Sequence, residues 1–217
     1  MYFTNRTQAG GQLAEQLAKY RYENCIVVAL SESSVLVAEP IAQYLHCIIT
    51  LLLTEDIELP GEHAVLGTVD QAGSFTYNSD FSQGELDEYR SEFFNYIESE
   101  KLRKFHRMNR MIGDTGLIDA DLLQDHVVIL VADGLKSGSL LDAALNFLKP
   151  VRTEKLIIAT PLASVQAVDK MHIAADEIFC LNVTDNYLDT NHYYDDNSVP
   201  GHQEIVAKIQ QIMLNWR

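Results

Sequence analysis

Short apolar runs alternate with amphipathic segments along this chain. Continuous apolar runs predict strands that are buried on both faces, here 25–30, 47–53, 126–131, 156–159 and 177–183. Apolar residues at helical spacing predict helices over 8–20, 37–45, 141–148 and 164–174 and after Gly201. Strands that alternate with helices favour an α/β fold, a doubly wound and mostly parallel sheet with helices on both faces.

The middle of the chain departs from this alternation. Residues 54–62 are polar and acidic, and Pro60-Gly61 is a turn signal. Two short runs, 64–69 and 74–77, flank Asp70-Gln71-Ala72-Gly73 and predict a β-hairpin, and apolar spacing over 83–111 predicts one long helix. We therefore expect a single domain, 1–217, in which segment 54–112 adds a hairpin flap and a long helix as a small hood.

The charge balance excludes several classes of partner. The chain has 16 Lys and Arg against 31 Asp and Glu, a net charge of −15. Nucleic acids and anionic membranes bind to clustered Lys and Arg, so we expect neither as a partner. Because the overall charge repels anions, a phosphate site would need positive or N–H groups supplied by the residues immediately around it. The chain has no apolar run of about 18 residues and no basic start before an apolar stretch, so we expect a cytoplasmic protein.

The three cysteines predict no metal or redox centre. Cys25, Cys47 and Cys180 are odd in number, lie beside apolar runs and lack zinc or redox spacing. We interpret them as buried, reduced core thiols.

The loop after the third core strand carries the strongest chemical signal. The strand 127–131 leads into Ala132-Asp133-Gly134-Leu135-Lys136-Ser137-Gly138-Ser139 and then into a helix. A helix N-terminus presents backbone N–H groups to an anion, Lys136 adds charge and Ser137 and Ser139 add hydroxyl groups. Asp133 can accept hydrogen bonds from sugar hydroxyls. The spacing is equally compatible with a structural loop in which Ser137 caps the helix.

The same loop resembles the ribose-phosphate signature of the type I phosphoribosyltransferases. That signature is an apolar strand, two adjacent acids, Gly, two variable residues and Thr-Gly. Asp133, Gly134 and Gly138 match it, Ser137 replaces Thr, and Ala132 replaces the first acid. The resemblance implies that Asp133 is the catalytic-site acid that holds the ribose, together with Gly134. It also implies that Lys136, Ser137, Gly138 and Ser139 hold the 5′-phosphate.

The resemblance extends over nearly the whole chain and is strongest to a bacterial branch of this family. Members open with an aromatic residue, a basic residue and Ala-Gly, as in Phe3, Arg6 and Ala9-Gly10. Leu66-Gly67-Thr68-Val69, Ala159-Thr160-Pro161 and Tyr193-Tyr194 follow in the branch's order. Each piece is weak, but their order together is specific.

Two further loops depart from the pattern. Where the branch has Pro-Arg-Gly-Gly after the first strand, this chain has Ser31, Glu32, Ser33 and Ser34, a degenerate pyrophosphate loop. Where it has Arg-Lys after the second strand, this chain has Thr54-Glu55. Pyrophosphate chemistry depends on preorganised positive charge, so both changes weaken the expected site.

Two other segments allow alternative interpretations. One segment is a basic cluster formed by Lys101, Arg103, Lys104, Arg107 and Arg110. It is either a solvated face that balances acidic neighbours or a set of phosphate contacts. In the second case the cluster could come from the other subunit of a homodimer. The tract 185–196 is polar and aromatic and favours a ligand-facing loop or a subunit contact over a metal site.

These observations together predict a phosphoribosyltransferase-like protein whose transfer activity is weakened or lost. Its expected ligands are phosphoribosyl pyrophosphate, a sugar phosphate or a nucleotide. The alternatives are an active transferase of nucleotide metabolism, with Mg²⁺ carried by the substrate, and a non-catalytic regulatory or interaction protein. Outside the active alternative we expect no cofactor and no bound metal.

Overall fold

The predicted core strands form a five-stranded parallel sheet in the computed structural model, which describes residues 2–62, 64–112 and 120–215. The sheet order is β2-β1-β6-β7-β8. These strands are β1 (Cys25–Ala29), β2 (Ile48–Leu51), β6 (Val127–Val131), β7 (Lys155–Ser164) and β8 (Glu177–Thr184). All four neighbouring pairs run parallel, which confirms the predicted α/β sheet.

Both faces of the sheet are buried, as continuous apolar runs require. Val27 and Ile129 point into a cluster formed with α1 (Arg6–Gln16), α2 (Glu32–Leu45) and α7 (His202–Asn215). Their neighbours Val28 and Leu130 point to the opposite face and are equally buried. A further helix, α6 (Val165–Ala174), packs against β7 and β8.

One glycine allows the first two helices to approach closely. A Cβ added to Gly10 would lie 2.6 Å from Pro40 Cγ and would also meet the Val37 carbonyl oxygen. Only glycine fits at this crossing. The close packing fixes the N-terminus of α1 against α2.

The chain divides into two compact units. One consists of Met1–Leu52, Ile118–Ser137 and Pro150–Arg217, and the other of Leu53–Leu117 and Gly138–Lys149. The second unit contains an antiparallel sheet, β3 (Thr54–Glu58), β4 (Val65–Asp70) and β5 (Phe75–Tyr77), with helices α3 (Gln83–Glu92), α4 (Phe94–Ile112) and α5 (Ser139–Leu148). The expected insertion, 54–112, lies in this unit. Helix α5 also belongs to it, although the sequence pattern did not indicate that this helix would join the insertion.

The inserted segment contains one strand that the sequence analysis did not predict, and one prediction about it is wrong. Residues 54–58 form β3 through antiparallel pairing with β4, and Ile57 is the one fully buried residue of this strand. The predicted long helix is broken at Phe93, which has φ −106° and ψ 19°. The break allows Tyr89 of α3 and Ile97 of α4 to pack against one apolar cluster. The β4–β5 hairpin is confirmed.

The cysteines are free thiols, as predicted. Cys25 and Cys47 are buried, and burial raises the pKa of each to about 12. Cys180, which was also predicted to be buried, is only half-buried. None of the helices that the structure describes is long and apolar enough to span a membrane.

Candidate functional site

Arg6, the first residue of the candidate site, is positioned by the extended segment that precedes it. Phe3 forms a parallel bridge with Tyr194, and the Phe3 N–H donates to the Tyr193 carbonyl oxygen at 2.9 Å. The Asn5 side chain then caps α1 by accepting from the Gln8 N–H at 2.8 Å. Arg6, the first residue of α1, is thereby directed inward and is only 3% exposed.

Arg6 is held on several sides by the chain itself. Its Nε donates to Asp133 Oδ2 at 2.7 Å, and one terminal nitrogen donates to Asn191 Oδ1 at 2.8 Å. The other terminal nitrogen donates to Asn197 Oδ1 at 3.2 Å, and the guanidinium lies 4.6 Å from the Tyr194 ring centroid. A buried guanidinium is stable only when it is paired in this way. Sequence reasoning assigned Arg6 no chemical role.

Asp133 follows β6 and is engaged on both carboxylate oxygens. While Oδ2 accepts from Arg6, Oδ1 accepts from the Ser34 hydroxyl at 3.1 Å. The Asp133 N–H donates back to Ser34 Oγ at 3.1 Å, and its carbonyl oxygen accepts from the Tyr194 hydroxyl at 2.5 Å. Burial raises the pKa of Tyr194 well above its usual range, so this hydroxyl remains a donor at neutral pH.

The segment 31–34 is the start of a helix and not a loop, which corrects the prediction. Ser31 is the N-cap of α2, with φ −159°, and its Oγ accepts from the Ser34 N–H at 3.1 Å. Residues 32–34 are helical. Serines in place of the family's glycines therefore cause no backbone strain, because left-handed φ values are not needed here.

Glu32 lies in the first turn of α2 and pairs with the C-terminal helix. Its Oε1 is 2.5 Å from Nδ1 of His202, the first residue of α7. Both side chains are about three-quarters buried. The position favours an acid, because a helix N-terminus carries partial positive charge. The negative charge of Glu32 opposes an anionic ligand at this end of α2.

Gly134 lies directly beneath the tract 185–196. A Cβ at Gly134 would meet the Tyr187 hydroxyl and would lie 2.8 Å from Thr190 Cγ2. Tyr187 and Thr190 are themselves joined by a hydroxyl hydrogen bond of 2.8 Å. The tract, predicted to be a ligand-facing loop or a subunit contact, thus packs on its own chain through Tyr187 and Thr190.

The residues predicted to bind phosphate, 136–139, lie between the bridge at Leu135 and the start of helix α5. Leu135 forms a bridge with Ala163, Lys136 is exposed and Ser137 is half-buried. Helix α5 begins at Ser139 with Gly138 as its N-cap, and no side chain caps it. The alternative in which Ser137 caps the helix is therefore wrong. Gly138 itself has no side chain with which to cap the helix.

The basic cluster is paired within its own unit. Glu55 lies 3.5 Å from Lys104 Nζ and 3.3 Å from Arg107 Nε. Lys101 pairs with Glu98 at 2.8 Å, and Arg103 pairs with Glu100 at 2.6 Å. The structure thus supports the interpretation that these four cations balance acidic neighbours. The version in which they contact phosphate across a homodimer remains a prediction.

Comparisons with known proteins agree with the fold and with the family resemblance. Residues 3–197 match the family model described as a phosphoribosyl transferase domain. Two Mycobacterium tuberculosis proteins, from strains CDC 1551 and H37Rv, are provisionally named phosphoribosyl transferases. Each is 24% identical to the chain over 207 residues. The match covers 94% of this chain and 46% of each of them, so the chain spans less than half of their length.

A solved structure shows the same fold over its full length. The Thermus thermophilus protein TT1426 is 26% identical, with a TM-score of 0.73. The alignment covers 100% of this chain and 99% of that one. The parallel sheet, the loop after β6 and the family match over residues 3–197 agree with one another. The chain therefore belongs to the type I phosphoribosyltransferases, the family of the phosphoribosyl transferase domain.

Proposed function

We propose that this chain is a phosphoribosyltransferase-fold protein in which transfer is weakened or lost and binding of a phosphorylated sugar or nucleotide is retained. The observation that carries the proposal is the state of Asp133. This is the acid expected to hold the ribose hydroxyls, yet its two carboxylate oxygens accept from Arg6 and Ser34. A ribose would have to displace a buried ion pair to reach it, which is costly.

The neighbouring residues support weakened transfer. Ala132 stands where the family has the first of its two adjacent acids, and it is fully buried. Glu32 stands where the branch has an arginine, and its carboxylate is directed to His202. Pyrophosphate release depends on preorganised positive groups around the leaving oxygens. The change at position 32 removes such a group, and the change at position 132 removes a carboxylate that would hold the ribose.

The loop 136–139 supports retained phosphate binding. Gly138 is the N-cap of α5 and has no side chain of its own, and Lys136 is exposed. Among the residues that the structure describes, Lys136 forms no ion pair with a carboxylate. An anion at a helix N-terminus gains from both the amides and the nearby charge. If Mg²⁺ takes part, it arrives with pyrophosphate, as a component of the substrate.

Calorimetric titration and a transfer assay test the proposal together. Ribose 5-phosphate and phosphoribosyl pyrophosphate with Mg²⁺ are each titrated into the wild type and into Lys136→Gln. Lys149→Gln, which removes an equal charge at the other end of α5, is the matched control. We expect measurable binding that Lys136→Gln weakens about three- to tenfold and that Lys149→Gln leaves unchanged.

Isotope-labelled phosphoribosyl pyrophosphate is then incubated with a panel of bases and amines. We expect negligible transfer. Turnover of about 1 s⁻¹ or faster lies in the ordinary enzyme range and would establish the active alternative instead. No binding of either ligand would overturn retained phosphate affinity and favour a non-catalytic interaction protein.

A further inference from the structure

The second unit contains a cleft that shares no residue with segments 31–34 or 133–139. Its volume is about 320 Å³, within the range typical of small-molecule sites. Aromatic and apolar side chains from β5 and α4 line it together with three charged ones: Phe75, Tyr77, Arg90, Phe94, Ile97, Glu98 and Lys101.

Two cations lie against the aromatic wall of this cleft. The Arg90 guanidinium is 4.6 Å from the Tyr77 ring centroid, and its Nε donates to the Tyr77 hydroxyl at 3.0 Å. Lys101 Nζ is 5.5 Å from the Phe75 ring centroid. Phe75 and Tyr77 pack edge to face at 4.7 Å. These contacts hold both cations at the cleft wall by cation–π attraction.

The charge of the cleft differs from that of the chain. Arg90 and Lys101 face a single lining carboxylate, Glu98, which pairs with Lys101 at 2.8 Å. Among the carboxylates that the structure describes, Arg90 has one long contact, 3.8 Å from Nη1 to Asp87, which leaves its terminal nitrogens available for a stronger acceptor. The lining is thus net positive in a protein whose formal charge is −15.

An apolar surface lies next to these cations. Phe94 is 61% exposed, although it is the first residue of α4 and follows the break at Phe93. Ile97 lies one turn later and is buried at the base of the cleft. A planar ring can therefore pack on Phe94 while a substituent reaches Arg90 and Lys101.

We propose that this cleft binds a small aromatic molecule that carries a phosphate or carboxylate group. The aromatic part packs on Phe94 and Phe75, and the anion contacts Arg90 and Lys101. The site does not require that transfer activity survives. It is lined by residues of the second unit alone.

Ligand titration followed by two-dimensional NMR of the full chain tests this site. Phenyl phosphate is the probe, with inorganic phosphate and benzyl alcohol as its anionic and aromatic halves. We expect saturable shifts at the amides of Tyr77, Phe94 and Ile97, with each half at least about tenfold weaker than the whole. Amides 137–141 report the loop site separately, so either site can fail without the other.

Matched variants of the second unit complete the test. Arg90→Gln and Phe94→Ala should each weaken phenyl phosphate binding about three- to tenfold at the cleft amides. Arg103→Gln removes an equal charge from α4 outside the cleft and should change nothing. Inorganic phosphate binding as tightly as phenyl phosphate, or equal losses in Arg90→Gln and Arg103→Gln, would overturn the proposal. So would an absence of shifts at the cleft amides.

The same measurement identifies the source of the ligand. Adenosine monophosphate that shifts the cleft amides in wild type but not in Arg90→Gln supports a nucleotide. If benzoate shifts the cleft amides in wild type but not in Arg90→Gln, and adenosine monophosphate shifts them in neither, the ligand is a simple aromatic acid. Failure of both, together with phenyl phosphate, would rule out the site.

Discussion

Arg6 and Asp133, 127 positions apart in the sequence, form a buried ion pair with Nε and Oδ2 at 2.7 Å. The pair joins the start of α1 to the loop that follows β6. Asn191, Asn197 and Tyr194 bind the same guanidinium from the tract near the C-terminus. Three distant segments therefore converge on Asp133, the acid proposed above to stand at the ribose position.

Removal of Arg6 should destabilise the fold strongly. Arg6→Met leaves the Asp133 carboxylate buried without its cation, and breaking a buried pair costs about 3–5 kcal/mol. Lys208→Met, which breaks the more exposed pair with Glu39, is the control and should cost about 0–1 kcal/mol. The free energy of unfolding from urea titration measures both. Equal losses would mean that Arg6 and Asp133 are not coupled as a buried pair.

Gly134→Ala tests the close packing of the tract over the loop. The new Cβ would meet the Tyr187 hydroxyl and Thr190, so we expect a loss of about 1–3 kcal/mol in unfolding free energy. In a Tyr187→Phe background the hydroxyl is absent, and the cost should fall.

The matched control for Gly134→Ala is a glycine on a helix with free space around it. Gly84 of α3 has nothing within 4 Å of an added Cβ, so Gly84→Ala should stabilise by about 0.5–1 kcal/mol. A cost of Gly134→Ala that Tyr187→Phe leaves unchanged would show that the hydroxyl is not the obstacle.

The sheet could be predicted from the sequence because burial on both faces produces a local pattern. The strands β1 and β6 are fully buried and appear as continuous apolar runs. The strand β3 escaped notice because Thr54, Glu55 and Asp56 gain their partners from α4 and β4, which no local pattern encodes. The strand β7 continues past Pro161 because, beyond Ala159, its regular pairing is with β8 alone.

The site could be predicted only in part. Asp133 and Gly138 follow an apolar strand and precede a helix, a position that allows a ligand loop and a structural loop equally. The family resemblance favoured the ligand loop. The ion pair between Arg6 and Asp133 joins residues 127 positions apart, so no local sequence pattern could predict it. At Arg6 the sequence showed only that the family also has a basic residue there. The serines at 31–34 carried a usable signal, since Ser31 before an apolar helical run is a typical N-cap.

Glu177 should make stability depend on pH in the acidic range. The hydrogen bond from Lys19 and the nearby Lys155 amine lower the pKa of Glu177 to about 2. Because the folded-state pKa lies below the unfolded value near 4.5, the stabilisation is present above pH 4.5. It is lost as the pH falls towards 2.

Glu177→Gln should therefore lower stability at pH 7 and match the wild type near pH 2. The side chain is 30% exposed, so the difference at pH 7 should be only about 1 kcal/mol. Urea titrations across this range measure it, and Glu15→Gln, at an exposed position of α1, is the control. A difference that stays constant from pH 7 to pH 2 would contradict the role of Glu177 ionisation.

Glu32→Arg tests whether the first turn of α2 still faces the position of a pyrophosphate ligand. The segment is joined to Asp133 through Ser34, so its charge acts close to that carboxylate. The substitution changes the local charge by two units and also separates position 32 from His202. At a partly screened site this corresponds to about 1–3 kcal/mol, or roughly five- to a hundredfold in pyrophosphate affinity.

Glu39→Arg on the same helix makes an equal charge change farther along and is the control for net charge. Glu39 pairs with Lys208 and makes no contact with the Asp133 network among the described residues. Calorimetric titration of pyrophosphate at low and at physiological salt compares the two variants. We expect a gain for Glu32→Arg that shrinks as salt rises and a smaller one for Glu39→Arg. Equal gains would mean that only net charge matters and that Glu32 does not face the ligand. Transfer activity should stay negligible even in Glu32→Arg, because Arg6 still holds the Asp133 carboxylate.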